Sequence, residues 1–213
     1  LPTDDNPRVS FSELEYKKLL KTARELANEG ISVRGVPLTM EMYYFIVFMV
    51  HTFLRPTETE VFAIKHKDVE VAESPKCLAI KVQGKTGFRI SSSTQDAPDF
   101  YKHIINLNPD ITDNDYVFFP SYQNRKSAFR NVNRQFNHIL TQANLKITKD
   151  GETRTAYALR HYSLQTRLRK SGGKVNIYLL AKNAGTSVSQ LERFYLNRME
   201  MTSEERLNLQ ISG

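Results

Sequence analysis

Two arginines, a lysine and a tyrosine are the side chains whose types and spacing could do chemistry together. Arg55 stands in Phe53-Leu54-Arg55-Pro56-Thr57-Glu58, and Lys85 in Gly84-Lys85-Thr86-Gly87. Arg160 stands in Tyr157-Ala158-Leu159-Arg160-His161, and Tyr195 follows Gly185-Thr186-Ser187 at ten residues from the glycine. A phosphodiester under attack carries charge on its non-bridging oxygens, and a guanidinium fork binds two such oxygens at once. Two arginines from separate segments would neutralise that charge, the largest lever in phosphoryl transfer. A lysine on a hairpin can protonate the departing oxygen, and a tyrosine hydroxyl can attack to give a covalent phosphotyrosine. Each residue alone has a plainer reading: a surface cap for the arginine, a turn for Gly-Lys-Thr-Gly, core for the tyrosine. Their order and spacing favour the chemical one.

Other familiar chemistries lack their residues. There is no GxxxxGK[ST], no Rossmann glycine fingerprint, no HExxH and no CxxC, and His51, His66, His103, His138 and His161 do not pair at metal-ligand spacing. No cofactor and no metal are expected. One cysteine, Cys77, excludes an internal disulfide and fits a reducing compartment, so a cytoplasmic location is expected. No apolar run approaches the ~20 residues of a membrane span, so no membrane partner is expected. The chain opens LPTDDNPRV, without a methionine or the pattern of a signal peptide, and reads as a fragment whose N-terminal modules are missing.

The 213 residues suit one domain, read as a main body over 1–199 with a polar tail at 200–213. The net charge of +7 is concentrated: residues 123–170 carry 11 Lys/Arg against 2 Asp/Glu. Such a block points to a polyanion, the alternative being a solvated basic face. Lys126, Arg130, Arg134, Arg154 and Arg167 in that block are the candidates for contacts to a nucleic-acid backbone.

The elements that must position these groups read as mainly α with one small antiparallel sheet. Ser10 and Glu13 form an expected capping box for a first helix ending at Gly30. Residues 40–54 (MEMYYFIVFMVHTFL) are apolar nearly all round, hence a buried central helix that Pro56 stops near Arg55. A short helix is expected over 57–64. Strands are expected over 68–71, 77–83 and 88–93, with Lys85 at a hairpin tip. Helices follow over 96–107, 127–143, 156–170 and 175–184, the last stopped by Gly185, and another begins at Ser187.

With these motifs assembled, the chain resembles the catalytic domain of the tyrosine recombinases, the phage-integrase family, over residues 9–198. The resemblance implies the DNA breaking-rejoining fold, with Arg55 and Arg160 as the paired arginines, Lys85 as general acid and Tyr195 as nucleophile. Tyr157 and Thr186 stand where the family more often has histidine, or histidine or tryptophan. Hydroxyls there can bind or position a phosphate oxygen but do not serve as cations or near-neutral bases. Glu58, three residues after the first arginine, is read as orienting a basic partner or capping a helix, and His161 as supporting the site residues from behind or as packing. The resemblance further implies double-stranded DNA as partner, a homo-tetramer on DNA, and integration or excision of a mobile element through a 3′-phosphotyrosyl intermediate. A type IB topoisomerase-like relaxase and a non-cleaving DNA-binding module remain the alternatives.

Overall fold

The computed structural model describes residues 9–84, 87–172, 174–193, 203–208 and 210. Helix α1 spans Glu13–Asn28, and its cap is Ser12 with Glu15 rather than the expected Ser10 with Glu13. Ser12 Oγ accepts from the Glu15 amide at 3.2 Å, and Glu15 Oε2 from the Ser12 amide at 2.8 Å. A two-residue hairpin follows, β1 (Ser32–Val33) and β2 (Val36–Pro37), turning on Arg34 and Gly35, both at positive φ. That is the backbone twist a tight hairpin requires. Strands this short leave too little alternation to be read in advance.

Helix α2, Met40–Thr52, is the buried axis expected from its composition, with nine buried residues between Met42 and Thr52. It ends two residues earlier than expected, because Phe53 turns left-handed at φ 59° ahead of the Leu54-Arg55-Pro56 extension. The helix expected over 57–64 reduces to turns and a single 3-10 turn at Val61–Ala63. Glu60 is the physical reason: its Oε1 accepts from the Arg55 amide at 2.8 Å and folds the segment back on itself.

The three-stranded sheet is antiparallel in the order β3 (Val69–Glu73), β4 (Lys76–Gly84), β5 (Gly87–Ser92). Gly84 pairs with Gly87, which closes the hairpin around positions 85 and 86. Helices α3 (Ala97–Asn106), α4 (Arg125–Gln142) and α5 (Tyr157–Lys170) complete the main layer around α2. Asn124 caps α4, whose first residue, Arg125, lies two residues ahead of the expected start.

Helix α6, Ile177–Ala184, is too short to be stable alone. It is held by a second, smaller core in which Leu180, Ala181 and Ala184 pack with Phe53, Leu164 and Leu191. Burying each large apolar side chain there stabilises by roughly 1.5–3 kcal/mol. Gly185 ends α6 in the left-handed region, as its type predicts, and Ser187 caps α7, Val188–Leu191. In the tail, α8 spans Ser203–Asn208. No helix among the described residues is long and apolar enough to cross a membrane.

Glu41 gives the fold a pH dependence. It lies in the first turn of α2, where burial pushes its carboxyl up to about 7, against the opposing Phe119 amide and Arg125. A raised carboxyl stabilises the folded state fully below its ordinary value near 4.5 and loses that contribution as pH rises through 7. Glu41→Gln is therefore expected to flatten the stability profile between pH 4.5 and 7 by on the order of 2–3 kcal/mol. Urea unfolding at several pH values measures it.

Candidate active site

Arg55 and Arg160 come from distant segments of the chain and meet at one turn. Arg55 follows the left-handed break after α2, and its Nη2 donates to the carbonyl of Gly185. Arg160 lies in the first turn of α5 and is buried at 3% exposure. Its Nη2 donates to the carbonyl of Ala184 at 2.7 Å and its Nη1 to that of Phe53. Two guanidiniums thus grip consecutive carbonyls immediately before Thr186. Burial in the smaller core fixes those carbonyls, so the arginines are oriented before any ligand arrives.

The side of this turn away from the core is open. Arg55, Gly185, Thr186, Ser187 and Gln190 line a pocket of about 530 Å³. The Thr186 amide bonds back to Ala181 at 2.9 Å, which ties this wall to α6. Tyr157 begins α5 half-buried, its ring 6.4 Å from that of His161. His161 is buried at 3% exposure, in keeping with its reading as packing.

The acid beside Arg55 is Glu60, not Glu58. Glu58 is partly exposed. Glu60 is 2% exposed, and its Oε2 accepts from Arg55 Nη1 at 3.0 Å. On the other side its Oε1 accepts from Arg89 Nη2 at 2.5 Å. Burial alone would raise this carboxyl. The hydrogen bonds from Arg89 and the Arg55 amide, with both guanidinium charges, outweigh burial and hold it below the ordinary carboxylate range.

Arg89 is the residue that motif reading missed. It projects from β5 with its side chain 10% exposed, and its Nε donates to the carbonyl of Asn183 at 3.1 Å. The signal for it is the inverted alternation of Phe88-Arg89-Ile90-Ser91. Phe88 and Ile90 are 64% and 55% exposed, while Ser91 is buried and donates to the Thr52 carbonyl. Polar residues facing inward on a strand mark a polar interior partner.

Gly185 packs directly on Arg89. A Cβ there would come within 2.8 Å of the Arg89 Cζ and Nη1, at a φ of +64°. Gly30 has a similar φ of +66° with open space around it. Gly30→Ala is thus expected to cost about 1 kcal/mol of backbone strain. Gly185→Ala is expected to cost about 2 kcal/mol or more, lowering Tm by roughly 4–8 °C in calorimetry. The difference between the two reports displacement of Arg89.

Lys85 and Tyr195 lie outside the described residues. Their flanks are described: Gly84, next to Lys85, would place a Cβ 3.9 Å from Arg55 Nη1, and Leu191, four residues before Tyr195, is buried. Among the proposed nucleic-acid contacts, Lys126, Arg130, Arg134 and Arg167 are exposed. Arg154 is a correction. It is 5% exposed and donates to the carbonyls of Ser10 and Leu145, both at 2.9 Å, and to Glu15 at 2.7 Å, with its guanidinium over Phe11. Those bonds close α1 onto the body and leave no outward face for a phosphate. Among the described residues, no group of three or more His, Cys, Asp or Glu could hold a metal ion.

The fold defined by this arrangement is that of the tyrosine recombinases. A crystal structure of XerA recombinase aligns over 98% of this chain with a TM-score of 0.63 at 20% identity. XerH site-specific recombinase bound to difH substrate, a pre-cleavage complex, aligns over 96% with a TM-score of 0.59 at 17% identity. XerH bound to palindromic difH, a post-cleavage complex, aligns over 97% with a TM-score of 0.60 at 18% identity. The chain spans 64% of the XerA chain and 54% and 53% of the two XerH chains. No protein-family model matches the chain, and no curated protein matches it.

Proposed function

We propose that this chain is the catalytic domain of a tyrosine site-specific recombinase that integrates or excises a mobile element, in the manner of phage integrases. The observation that carries the reading is the convergence of Arg55 and Arg160 on the adjacent carbonyls of Gly185 and Ala184, beside an open pocket that includes Thr186. Paired, pre-oriented guanidiniums suit an anion whose charge grows during reaction. That two of the similar structures are XerH bound to difH substrate, before and after cleavage, agrees with it.

In the proposed reaction the Tyr195 hydroxyl gives up its proton to solvent as its oxygen attacks the scissile phosphate. The bond to the 5′-oxygen breaks and a 3′-phosphotyrosyl ester forms. Arg55 and Arg160 bind the non-bridging oxygens, and Tyr157 and Thr186 add hydroxyl contacts that position the phosphate. Lys85 gives its proton to the departing 5′-oxygen. A 5′-hydroxyl from a partner strand then attacks the ester and releases Tyr195. The ester conserves the energy of the broken bond, so the exchange consumes no nucleotide cofactor. Lys126, Arg130, Arg134 and Arg167 would hold flanking phosphates of double-stranded DNA. The working assembly is a homo-tetramer on DNA, in the cytoplasm.

The test is covalent trapping. Duplexes selected from a random pool by binding to the protein are nicked at successive positions, so that cleavage releases a short strand and cannot reverse. A protein–DNA adduct that survives denaturant supports the reading. Bound DNA without an adduct at any position overturns it in favour of a non-cleaving module. Relaxation of a supercoiled plasmid lacking the selected site would instead identify a topoisomerase-like activity.

A further inference from the structure

The proposed site contains a third arginine, Arg89, that does not face the open pocket. Arg89 lies behind Glu60, whose carboxylate is shared between two cations. The inner contact, Arg89 Nη2 to Oε1, measures 2.5 Å, and the outer, Arg55 Nη1 to Oε2, measures 3.0 Å. The inner arginine is the more buried, its side chain 10% exposed against 22% for Arg55. We propose that Arg89 is the counter-ion of Glu60 and thereby keeps the charge of Arg55 available to the phosphate. This inference rests on the recombinase reading of the site.

The charge balance makes the point. Arg55, Glu60 and Arg89 together carry +1. Without Arg89 the pair Arg55–Glu60 is neutral, and a buried carboxylate with one partner draws that partner in strongly. Arg55 would then be held as a structural ion pair.

The surroundings fit a charge-setting role. A Cβ on Gly84 would meet Arg89 Nη1 and Glu60 Oε2, each at 3.1 Å, so the base of the Lys85 hairpin lies against the same cluster. Arg89 Nη1 is buried and makes no hydrogen bond, which leaves its charge directed at the carboxylate and the hairpin base. Through Nε and the Asn183 carbonyl, Arg89 also braces the end of α6. It is therefore a positioning residue for Arg55.

The experiment compares wild type, Arg89→Met, Arg89→Lys and Arg89→Met/Glu60→Gln by single-turnover adduct formation on the nicked duplex. Arg89→Met is expected to slow adduct formation about 100-fold, the effect of losing one preorganised donor. The double variant is expected to recover at least about tenfold of that loss, because removing the Glu60 charge restores +1. Arg89→Lys keeps the cation and is expected to remain within about tenfold of wild type. A double variant no faster than Arg89→Met, or a lysine variant as slow as methionine, overturns the proposal, since a packing role gives those results. If wild type forms no adduct, the recombinase reading fails. Thermal stabilisation by inorganic phosphate then decides for Arg89. Wild type and the double variant stabilised, with Arg89→Met not, sustains the charge role, and any other order overturns it.

Discussion

Tyr195→Phe is expected to lower covalent attachment to a nicked duplex by on the order of 10⁴-fold or more, while binding of the same duplex stays within about threefold. The substitution deletes one hydroxyl oxygen and keeps the ring, so any packing of the aromatic side chain survives. The lost atom is the nucleophile, and the ester has no other oxygen at that position from which to form. Residual attachment would come only from another hydroxyl reaching the phosphate. Tyr178, 72% exposed on α6, is the nearest other tyrosine in sequence. An adduct persisting in Tyr195→Phe and mapping to Tyr178 by peptide digestion would sink the assignment of Tyr195. It would also break the ten-residue spacing from Gly185 on which that assignment stands. Equal loss of adduct and of DNA binding would mean that the substitution had disturbed the fold, and the thermal midpoint separates that case.

The local rules that read the elements correctly are the ones with strong short-range physics. Gly185 did end α6 in a left-handed turn, and the Gly84–Gly87 pair did close the β4–β5 hairpin, whereas α2 stops at Thr52 on the left-handed Phe53, ahead of the stop expected from Pro56. Arg55 and Arg160 were legible as partners only through the order of the motifs. What joins them is a pair of carbonyls belonging to Ala184 and Gly185, and backbone acceptors carry no mark in a sequence.

The misreadings share one cause, which is that charge and type do not reveal burial. Arg154 belongs to the most basic stretch of the chain, yet three hydrogen-bond partners and the Phe11 ring hold it inside. Glu58 has the family spacing from Arg55, but the tight turns after Pro56 carry the next acid, Glu60, inward instead. Arg89 stood two residues from a motif glycine and was overlooked, because strand alternation is ordinarily searched for apolar residues facing in. In β5 the alternation runs the other way, and Phe88 and Ile90 face out. A strand whose polar residues point inward is a better sign of a site than any single arginine.

Arg160 gives the second large effect, because it serves structure and chemistry through one side chain. Its fork spans two elements, Nη1 on the Phe53 carbonyl at the end of α2 and Nη2 on the Ala184 carbonyl at the end of α6. Lysine retains the charge but offers a single ammonium, which reaches one of these carbonyls and leaves the other buried without its donor. An unsatisfied buried carbonyl costs about 1–3 kcal/mol. Arg160→Lys is therefore expected to lower Tm by roughly 4–8 °C and to slow adduct formation by about 10²–10³-fold. The second effect should persist well below the new Tm, where the protein is fully folded, because the lost fork no longer presents two donors to the phosphate. Single-turnover trapping at 10 °C beside calorimetry separates the two contributions. A lysine variant that cleaves at the wild-type rate when folded would show that Arg160 only staples α6 to the body. In that case the phosphate would be held by Arg55 without a paired guanidinium, and the convergence of the two arginines would describe packing alone.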